Sequence, residues 1–272
     1  MAGEPLALAV LRRFAELGGR SGFVDTPAGA LRYTVRGPAG GPPILIVHGL
    51  SDSIPGWARA VGPLSARNEV HLIDLPGHGL SATPPDYRLS TLADAVAHYA
   101  KRLDRPHLVG HSLGGWLALR VALANPSLAR SLTLINPAGA LVPREELQAF
   151  LALLQPQGAR DVWRYLDRAF HRAPIALRLV PAVVIEAMNA PAARGFLASI
   201  SDADFVLPAE LAALPMPVRL LWGRHDRFLP PATLPYFRAH LPRAEIRLLE
   251  GCGHCPHLER PAELARAILG WQ

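Results

Sequence analysis

The sequence feature that most constrains the fold is a hexapeptide between an apolar run and a run of helix formers. It reads Gly-His-Ser-Leu-Gly-Gly over residues 110–115, after the apolar run 107–109 and before the run from Trp116 to Leu123. This order predicts a strand, a sharp turn and a helix, with Ser112 at the apex and a glycine two residues away on each side. A Cβ at either flank would collide with the crossing strand and helix. The turn is therefore expected to strain the Ser112 backbone and to expose its hydroxyl at a helix N-terminus.

The five-residue Gly-x-Ser-x-Gly pattern alone also fits a glycine-rich strand-to-helix connection with an incidental serine. The rest of the chain is therefore needed to choose between the two interpretations. Buried-type apolar runs alternate with helical patterns on both sides of the hexapeptide, which predicts a parallel sheet covered on both faces. An antiparallel hairpin precedes them at the sheet edge. The predicted strands are 22–27, 30–36, 44–47, 70–73, 107–109, 132–135, 218–222 and 245–249. The predicted helices of this layer are 55–67, 90–103 with Ser90 as N-cap, 113–124, 231–240 and 261–271.

The alternation breaks after Asn136-Pro137-Ala138-Gly139, and only helical patterns follow to about Ile200. The sequence therefore predicts a helical lid at 139–205, inserted into an α/β core formed by 1–138 and 206–272. The helices predicted within the insertion are 145–154, 159–170, 175–188 and 192–200.

Composition and charge exclude several classes of protein. The 272 residues carry a net charge of +6. Almost all of the basic residues are arginines, and Lys101 is the one lysine. Because the arginines are scattered and not interleaved with aromatics, nucleic-acid binding is not expected. The pair Cys252 and Cys255 lacks the further ligands of a zinc or haem site, so two reduced thiols, no metal and no cofactor are expected.

The N-terminal segment 1–17 predicts a short amphipathic helix. Its apolar run follows Glu4 and precedes arginines, which is the wrong polarity for a secretory signal peptide. No apolar run approaches the roughly 18 residues needed to cross a bilayer. A cytoplasmic protein is expected, and peripheral membrane contact through this helix is the less favoured interpretation.

A serine hydroxyl needs a base within hydrogen-bond reach, and that base needs an orienting acid. After a nucleophile elbow, the partners are expected in the order acid and then histidine. The loop after strand 218–222 supplies Asp226, and the loop after strand 245–249 supplies His254. Carboxyl ends of parallel strands gather at one edge of the sheet, so these side chains are expected to meet Ser112.

With these residues in place, the chain resembles the α/β-hydrolase-fold proteins from Gly22 onward. Four features match in register: His48-Gly49, the Asp74-x-Pro76-Gly77-His78-Gly79-x-Ser81 segment, the elbow, and Gly253-His254 followed by Glu259-x-Pro261. The resemblance implies a mostly parallel eight-stranded sheet flanked by helices, with a helical lid after the sixth strand. It also implies a role for each member of the site. By this resemblance Ser112 is the nucleophile, Asp226 the acid and His254 the general base. The N–H groups of Leu50 and Leu113 form the oxyanion hole.

Other residues of the chain are less suitable as base or acid. His257 lies three residues from His254 but lacks the preceding glycine, and Asp202 and Asp204 do not directly follow a sheet strand. Some family members carry the acid after the sixth strand, where this chain has Asn136. For His48 and His78, holding loops is favoured over carrying protons. The residues expected to contact substrate are His48, Gly49, His111, Trp163 and Met188.

Serine at the elbow favours acyl-transfer chemistry. The Gly-His-Ser-x-Gly-Gly form, the small lid and the 136–139 segment look most like monoacylglycerol-lipase-like serine esterases. That resemblance implies a cofactor-free enzyme that cleaves small-molecule carboxylic esters with apolar acyl chains through an acyl-enzyme. A perhydrolase, an acyltransferase and, less favoured, a ligand-binding receptor remain alternatives, as does a C–C bond hydrolase, which His111 disfavours. The apolar residues that fit either an acyl pocket or lid core are Phe150, Leu151, Leu154, Trp163, Phe170, Val180, Val184, Met188 and Phe196.

Overall fold

The structure, a computed structural model, describes residues 19–270. The helix predicted at 1–17 and the predicted helix end at Trp271 lie outside the described residues. Eight strands form one sheet in the order β1-β2-β4-β3-β5-β6-β7-β8. The pairs β1–β2 and β2–β4 are antiparallel, and the other five pairs are parallel. The strands are β1 Arg20–Thr26, β2 Gly29–Arg36, β3 Pro43–Val47, β4 Glu69–Ile73, β5 His107–His111, β6 Ser131–Ile135, β7 Val218–Gly223 and β8 Glu245–Leu249.

Alternate side chains of the central strands enter two separate cores. In β3, Leu45 and Val47 join a large cluster on one face, whereas Ile44 and Ile46 join a smaller cluster on the other. All four are at most 1 % exposed. Burial on both faces is why these strands read as continuous apolar runs in the sequence. The prediction of a mostly parallel eight-stranded sheet flanked by helices is confirmed.

Helices cover both faces of the sheet. The smaller core lies under the helices at 58–64 and 261–269. The larger core lies under the helices at 89–100 and 113–124 and under the helical insertion between β6 and β7. The helices are α1 Ala58–Leu64, α2 Leu89–Ala100, α3 Leu113–Ala124, α4 Arg144–Leu153, α5 Ala159–Ala169, α6 Ile175–Leu179, α7 Pro181–Met188, α8 Pro191–Ser199, α9 Pro208–Ala213, α10 Thr233–His240, α11 Pro256–Glu259 and α12 Pro261–Leu269.

Three helix predictions were wrong in detail. The segment predicted as one helix over 55–67 is a 3₁₀ turn at Ile54–Trp57 followed by α1. Helix α2 already begins at Leu89, so Ser90 lies inside it rather than at its cap. The helix predicted over 175–188 breaks at Val180, whose ψ is 55°, because the residue before a proline is disfavoured in the helical region. Helices α9 and α11 were not predicted.

The sheet and the loop after β4 also bury histidines outside the hexapeptide. His107 begins β5, where its Nδ1 bonds the Ser131 hydroxyl at 2.5 Å and its Nε2 bonds that of Thr133 at 3.0 Å. Burial lowers the pKa of His107 to about 3, and that of His71 and His78 to about 4. These side chains are therefore uncharged in the native state at neutral pH.

We expect the free energy of unfolding to fall as the pH drops below about 6.5. The folded pKa values lie below the unfolded value, so the unfolded chain binds more protons and the stability present above pH 6.5 is lost towards pH 4. Each histidine contributes about 1.4 kcal/mol per pH unit. Urea unfolding at pH 7, 6 and 5 measures this slope, which His107→Gln should flatten by one histidine's share. The matched control is His98→Gln, the same substitution at an exposed histidine. Equal slopes for wild type and His107→Gln would contradict the prediction.

Within residues 19–270, every helix is too short or too polar to cross a bilayer.

Candidate active site

The hexapeptide forms a strand-turn-helix connection between β5 and α3. Ser112 at its apex has φ 52° and ψ −117°, a conformation that a residue with a side chain rarely adopts. Its amide donates to the Ile135 carbonyl over 3.0 Å, and its carbonyl accepts from the Ala138 amide over 3.1 Å. The turn is thus held from the end of β6, and the strain predicted at Ser112 is confirmed.

The flanking glycines are required because backbone passes where a Cβ would lie. A Cβ on Gly114 would stand 2.1 Å from the Val47 carbonyl oxygen, and one on Gly110 would stand 2.3 Å from the Gly114 carbonyl oxygen. Either atom would push α3 away from the sheet. The glycines therefore fix the distance between the start of α3 and the end of β3.

The loops after β7 and β8 bring Asp226 and His254 together. His254 Nδ1 donates to Asp226 Oδ2 over 2.9 Å, and the two side chains are 5 % and 0 % exposed. The amides of Phe228 and Leu229 donate to the other oxygen, Oδ1, over 2.8 and 3.2 Å. The Phe228 ring packs 4.5 Å from the imidazole. The carboxylate is therefore held by its own loop and presents one oxygen to the histidine.

Asn136 contributes a contact to this pair that sequence reasoning missed. It directly follows β6 and has φ 42°, and its Nδ2 donates to Asp226 Oδ2 over 2.5 Å. Its Oδ1 accepts from the Gly223 amide over 3.2 Å. From the sequence, Asn136 is identified solely as a residue that cannot be the acid. Its place at the end of a strand beside β7 was the available signal that it would reach Asp226.

A second carboxylate fixes the loop that carries His254. Glu259 Oε2 accepts from the Gly253 amide over 2.7 Å, and Oε1 accepts from the amides of His171 and Arg172. His254 itself donates its amide to the Ala169 carbonyl over 2.7 Å. These bonds tie the loop to the end of α5. They give a physical reason for the Gly253-His254 and Glu259 spacing seen in the sequence.

The two residues whose amides are predicted as oxyanion donors, Leu50 and Leu113, line the same cavity as Ser112. Leu113 is the first residue of α3, so helix geometry leaves its N–H without an intrahelical acceptor. Leu50 follows Gly49, and a Cβ on Gly49 would stand 3.2 Å from the Ser112 Cβ. The glycine therefore lets the Leu50 loop approach the serine.

A cavity of about 280 Å³ lies above Ser112, between the sheet edge and the helical insertion. Ser112 and His254 line it together with mostly apolar side chains, some from the loops of the sheet and some from α4, α5, α7 and α8. Of the nine apolar residues named from the sequence, seven line this cavity: Phe150, Leu151, Leu154, Phe170, Val184, Met188 and Phe196. Val180 and Trp163 are not among its lining residues.

The predicted substrate contacts separate into two groups. Gly49, His111 and Met188 line the cavity. Trp163 lies outside it, 44 % exposed on α5. His48 is buried beneath the loops instead of facing the cavity, because Leu75 donates to its Nε2 over 2.9 Å and its Nδ1 donates to the Gly49 carbonyl over 2.7 Å.

The alternative acids and base lie apart from the pair formed by Asp226 and His254. His257 Nε2 is 3.4 Å from Oδ2 of another carboxylate, Asp52. Asp202 and Asp204 form a 3₁₀ turn at the end of the insertion, where the Asp204 carboxylate accepts from the amide and hydroxyl of Ser201. Of the two histidines, His254 is the one paired with Asp226, whereas His257 is paired with Asp52.

The fold and this site are those of a hydrolase, with a strained serine at the carboxyl end of a central strand of a mostly parallel sheet. Comparison with known proteins identifies the family. Residues 44–267 match the model of the alpha/beta hydrolase family. The chain therefore belongs to the α/β hydrolase family.

Named relatives narrow the class of reaction. The chain is 31 % identical over 238 residues to the pimeloyl-[acyl-carrier protein] methyl ester esterase of Nitrosomonas europaea, a match that covers 82 % of this chain and 92 % of the relative. A solved membrane phospholipase A is 29 % identical with a TM-score of 0.83, covering 97 % and 91 % of the two chains. The carboxylesterase CesB of Bacillus subtilis is 19 % identical with a TM-score of 0.79, covering 97 % and 95 %, and shows the fold. The prediction of a carboxylic ester hydrolase is confirmed at this level.

Proposed function

We propose that the chain is a serine esterase that cleaves carboxylic esters with an apolar acyl chain. Ser112 is the nucleophile, His254 the general base and Asp226 the acid that orients the imidazole. The observation that carries the proposal is the 2.9 Å bond between His254 and Asp226, beside a strained serine in a mostly apolar cavity.

In the first half-reaction, Ser112 Oγ attacks the ester carbonyl carbon and its proton passes to His254 Nε2. The bond from His254 Nδ1 to Asp226 leaves Nε2 as the ring nitrogen that accepts this proton. The negative charge that develops on the carbonyl oxygen is stabilised by the N–H groups of Leu50 and Leu113 and by the N-terminus of α3. The alcohol then leaves with the proton from His254, and the acyl group remains on Ser112.

In the second half-reaction, water replaces the alcohol. His254 Nε2 removes a proton from the water, the resulting hydroxide attacks the acyl carbonyl, and the proton returns to Ser112 Oγ as the acid departs. No cofactor takes part in either step as we propose them. The same donors serve both tetrahedral intermediates because the carbonyl oxygen occupies one position throughout.

The lining of the cavity supports the proposed substrate class. Apolar side chains of the insertion surround the space above Ser112, so an acyl chain there is removed from water at a gain of about 0.8 kcal/mol per CH₂. We assign the insertion, residues 139–205, as a lid over this space. The Nitrosomonas europaea relative is named as an esterase of a methyl ester, which is also a carboxylic ester.

A panel of p-nitrophenyl esters from acetate to palmitate tests the proposal. We expect kcat/KM to rise from acetate to a medium chain, because each added CH₂ enters the apolar cavity, and to fall once the chain outgrows about 280 Å³. An acetate ester hydrolysed best, with steady decline thereafter, would contradict the assignment of an acyl pocket.

Two tryptophan substitutions sharpen this test. Met188 is 4 % exposed and lines the cavity, so Met188→Trp should move the preferred chain to shorter lengths. Ile175 lies in the same insertion but is 74 % exposed and is not among the lining residues, so Ile175→Trp is the matched control. The same shift in both variants would count against Met188 as a wall of the pocket.

A further inference from the structure

Three side chains beside the catalytic residues form a cluster that the proposed mechanism does not use. Asp52 lies in the loop after β3, His111 ends β5, and His257 lies in α11. One nitrogen or oxygen atom from each lies within 4.8 Å of the others. All three residues line the cavity that contains Ser112.

His111 has a lone pair without a protein partner. Its Nε2 lies 2.8 Å from the carbonyl oxygen of His254, and because a carbonyl only accepts, Nε2 carries the proton. Nδ1 is therefore an acceptor, and no hydrogen-bond partner for it exists among the described residues. Burial holds the pKa of His111 well below its usual value, so the ring stays neutral. An acceptor buried without a partner is unfavourable, and a bound cation would satisfy it.

Asp52 and His257 supply a carboxylate and a second imidazole. Asp52 Oδ2 lies 3.4 Å from His257 Nε2 and also accepts from Trp57 Nε1 over 3.2 Å. Burial alone would raise the pKa of Asp52, but the hydrogen bond and charge of His257 outweigh burial and hold it well below its usual value. The Trp57 ring stacks 4.8 Å from His257 and fixes its plane. The cluster therefore holds one carboxylate and two imidazoles on a rigid support.

We propose that Asp52, His111 and His257 form a binding site for a divalent transition-metal cation of the Zn²⁺ type. Two imidazoles and a carboxylate are ligands that Zn²⁺ takes in proteins. Tetrahedral coordination at about 2.0–2.1 Å separates ligand atoms by roughly 3.3 Å, close to the 3.4 Å between Asp52 and His257. The proton shared by that pair leaves to solvent when the cation binds.

The position of the site gives it a consequence for catalysis. His111 adjoins Ser112 in sequence, and its ring centre lies 5.0 Å from that of His254. A cation at the cluster would therefore occupy the cavity beside the nucleophile. Bound Zn²⁺ should inhibit ester hydrolysis, an effect that rests on the proposed function, whereas binding itself does not.

Calorimetric titration of chelator-treated protein with ZnCl₂ tests the site independently of activity. We expect one site in the wild-type protein, with affinity at least about tenfold weaker in Asp52→Asn and in His257→Gln. The stacked pair His171 and His225 at the surface, with ring centres 4.0 Å apart, offers a competing site. His171→Gln is therefore the matched control and should bind as the wild type does. Absence of heat with the wild type, unchanged affinity in both cluster variants, or loss in His171→Gln would overturn the proposal.

Co²⁺ as a probe of the wild-type protein keeps the test decisive even where a cluster variant fails to fold. Cys255 also lines the cavity but is not one of the three residues of the cluster, so nitrogen and oxygen ligands are expected without sulfur. The expected spectrum has the strong visible bands of tetrahedral Co²⁺ and no thiolate charge-transfer band, and it should persist in Cys255→Ser. A thiolate band, or the weak spectrum of octahedral Co²⁺, would contradict the assigned ligands.

Discussion

Ser112→Ala is expected to lower kcat for a medium-chain p-nitrophenyl ester by about 10⁵–10⁶, the loss seen when the nucleophile of such a unit is removed. KM should change little, because the cavity that holds the acyl chain is lined mostly by other residues. Alanine fits the site, since the removed hydroxyl lies at the cavity surface and the backbone of the turn is held by its own bonds to Ile135 and Ala138. Initial rates with active-site-titrated wild type as reference measure the effect.

Ser51 provides the matched control for this experiment. It is another serine of the cavity wall, also has positive φ, at 58°, and its hydroxyl donates to the Ala187 carbonyl over 3.1 Å. Ser51→Ala is expected to lose far less activity than Ser112→Ala. A fluorophosphonate reagent should phosphonylate Ser112 in the wild type, with loss of HF, and no serine of Ser112→Ala. Activity of Ser112→Ala within tenfold of the wild type would refute the role of the serine.

Features set by local sequence and by simple patterns could be predicted well. The glycines around Ser112 dictate the turn because backbone passes within 2.1–2.3 Å of where their Cβ atoms would lie. The two-sided burial of β3 shows directly as an apolar run. Asp226 and His254 follow parallel strands, whose carboxyl ends share an edge, so their meeting follows from topology.

Features that depend on contacts distant in sequence could not be predicted. His48 stands beside Gly49, which lines the cavity, yet a bond from Leu75, 27 residues away, turns its ring into the loop packing. Trp163 lies on α5, whose other side meets the cavity through Tyr165 and Leu166, and helical phase alone did not decide which side faces inward. The cluster of Asp52, His111 and His257 joins three separate segments, so no spacing in the sequence signals it.

Asp226→Asn is the second large effect expected, a loss of about 10⁴ in kcat, as for the corresponding change in serine proteases. The aspartate accepts on Oδ1 from the amides of Phe228 and Leu229, and on Oδ2 from Asn136 and His254. An asparagine has one accepting oxygen, so one side of this network must face an NH₂ group. If Oδ1 stays with the loop amides, the NH₂ faces His254 and favours the tautomer with the proton on Nε2. That tautomer cannot accept the proton of Ser112.

The reversed pair Asp226→Asn with Asn136→Asp tests whether the carboxylate itself or its exact position matters. Asn136 and Asp226 already touch at 2.5 Å, so the exchange returns one negative charge to the same buried space and leaves the number of amide groups unchanged. We expect the double variant to recover part of the activity lost in Asp226→Asn, while Asn136→Asp alone should lose activity because two carboxylates then repel each other at this distance. Circular dichroism and thermal unfolding confirm folding of each variant before kcat is compared. Activity of Asp226→Asn within tenfold of the wild type would show that the carboxylate does not orient His254.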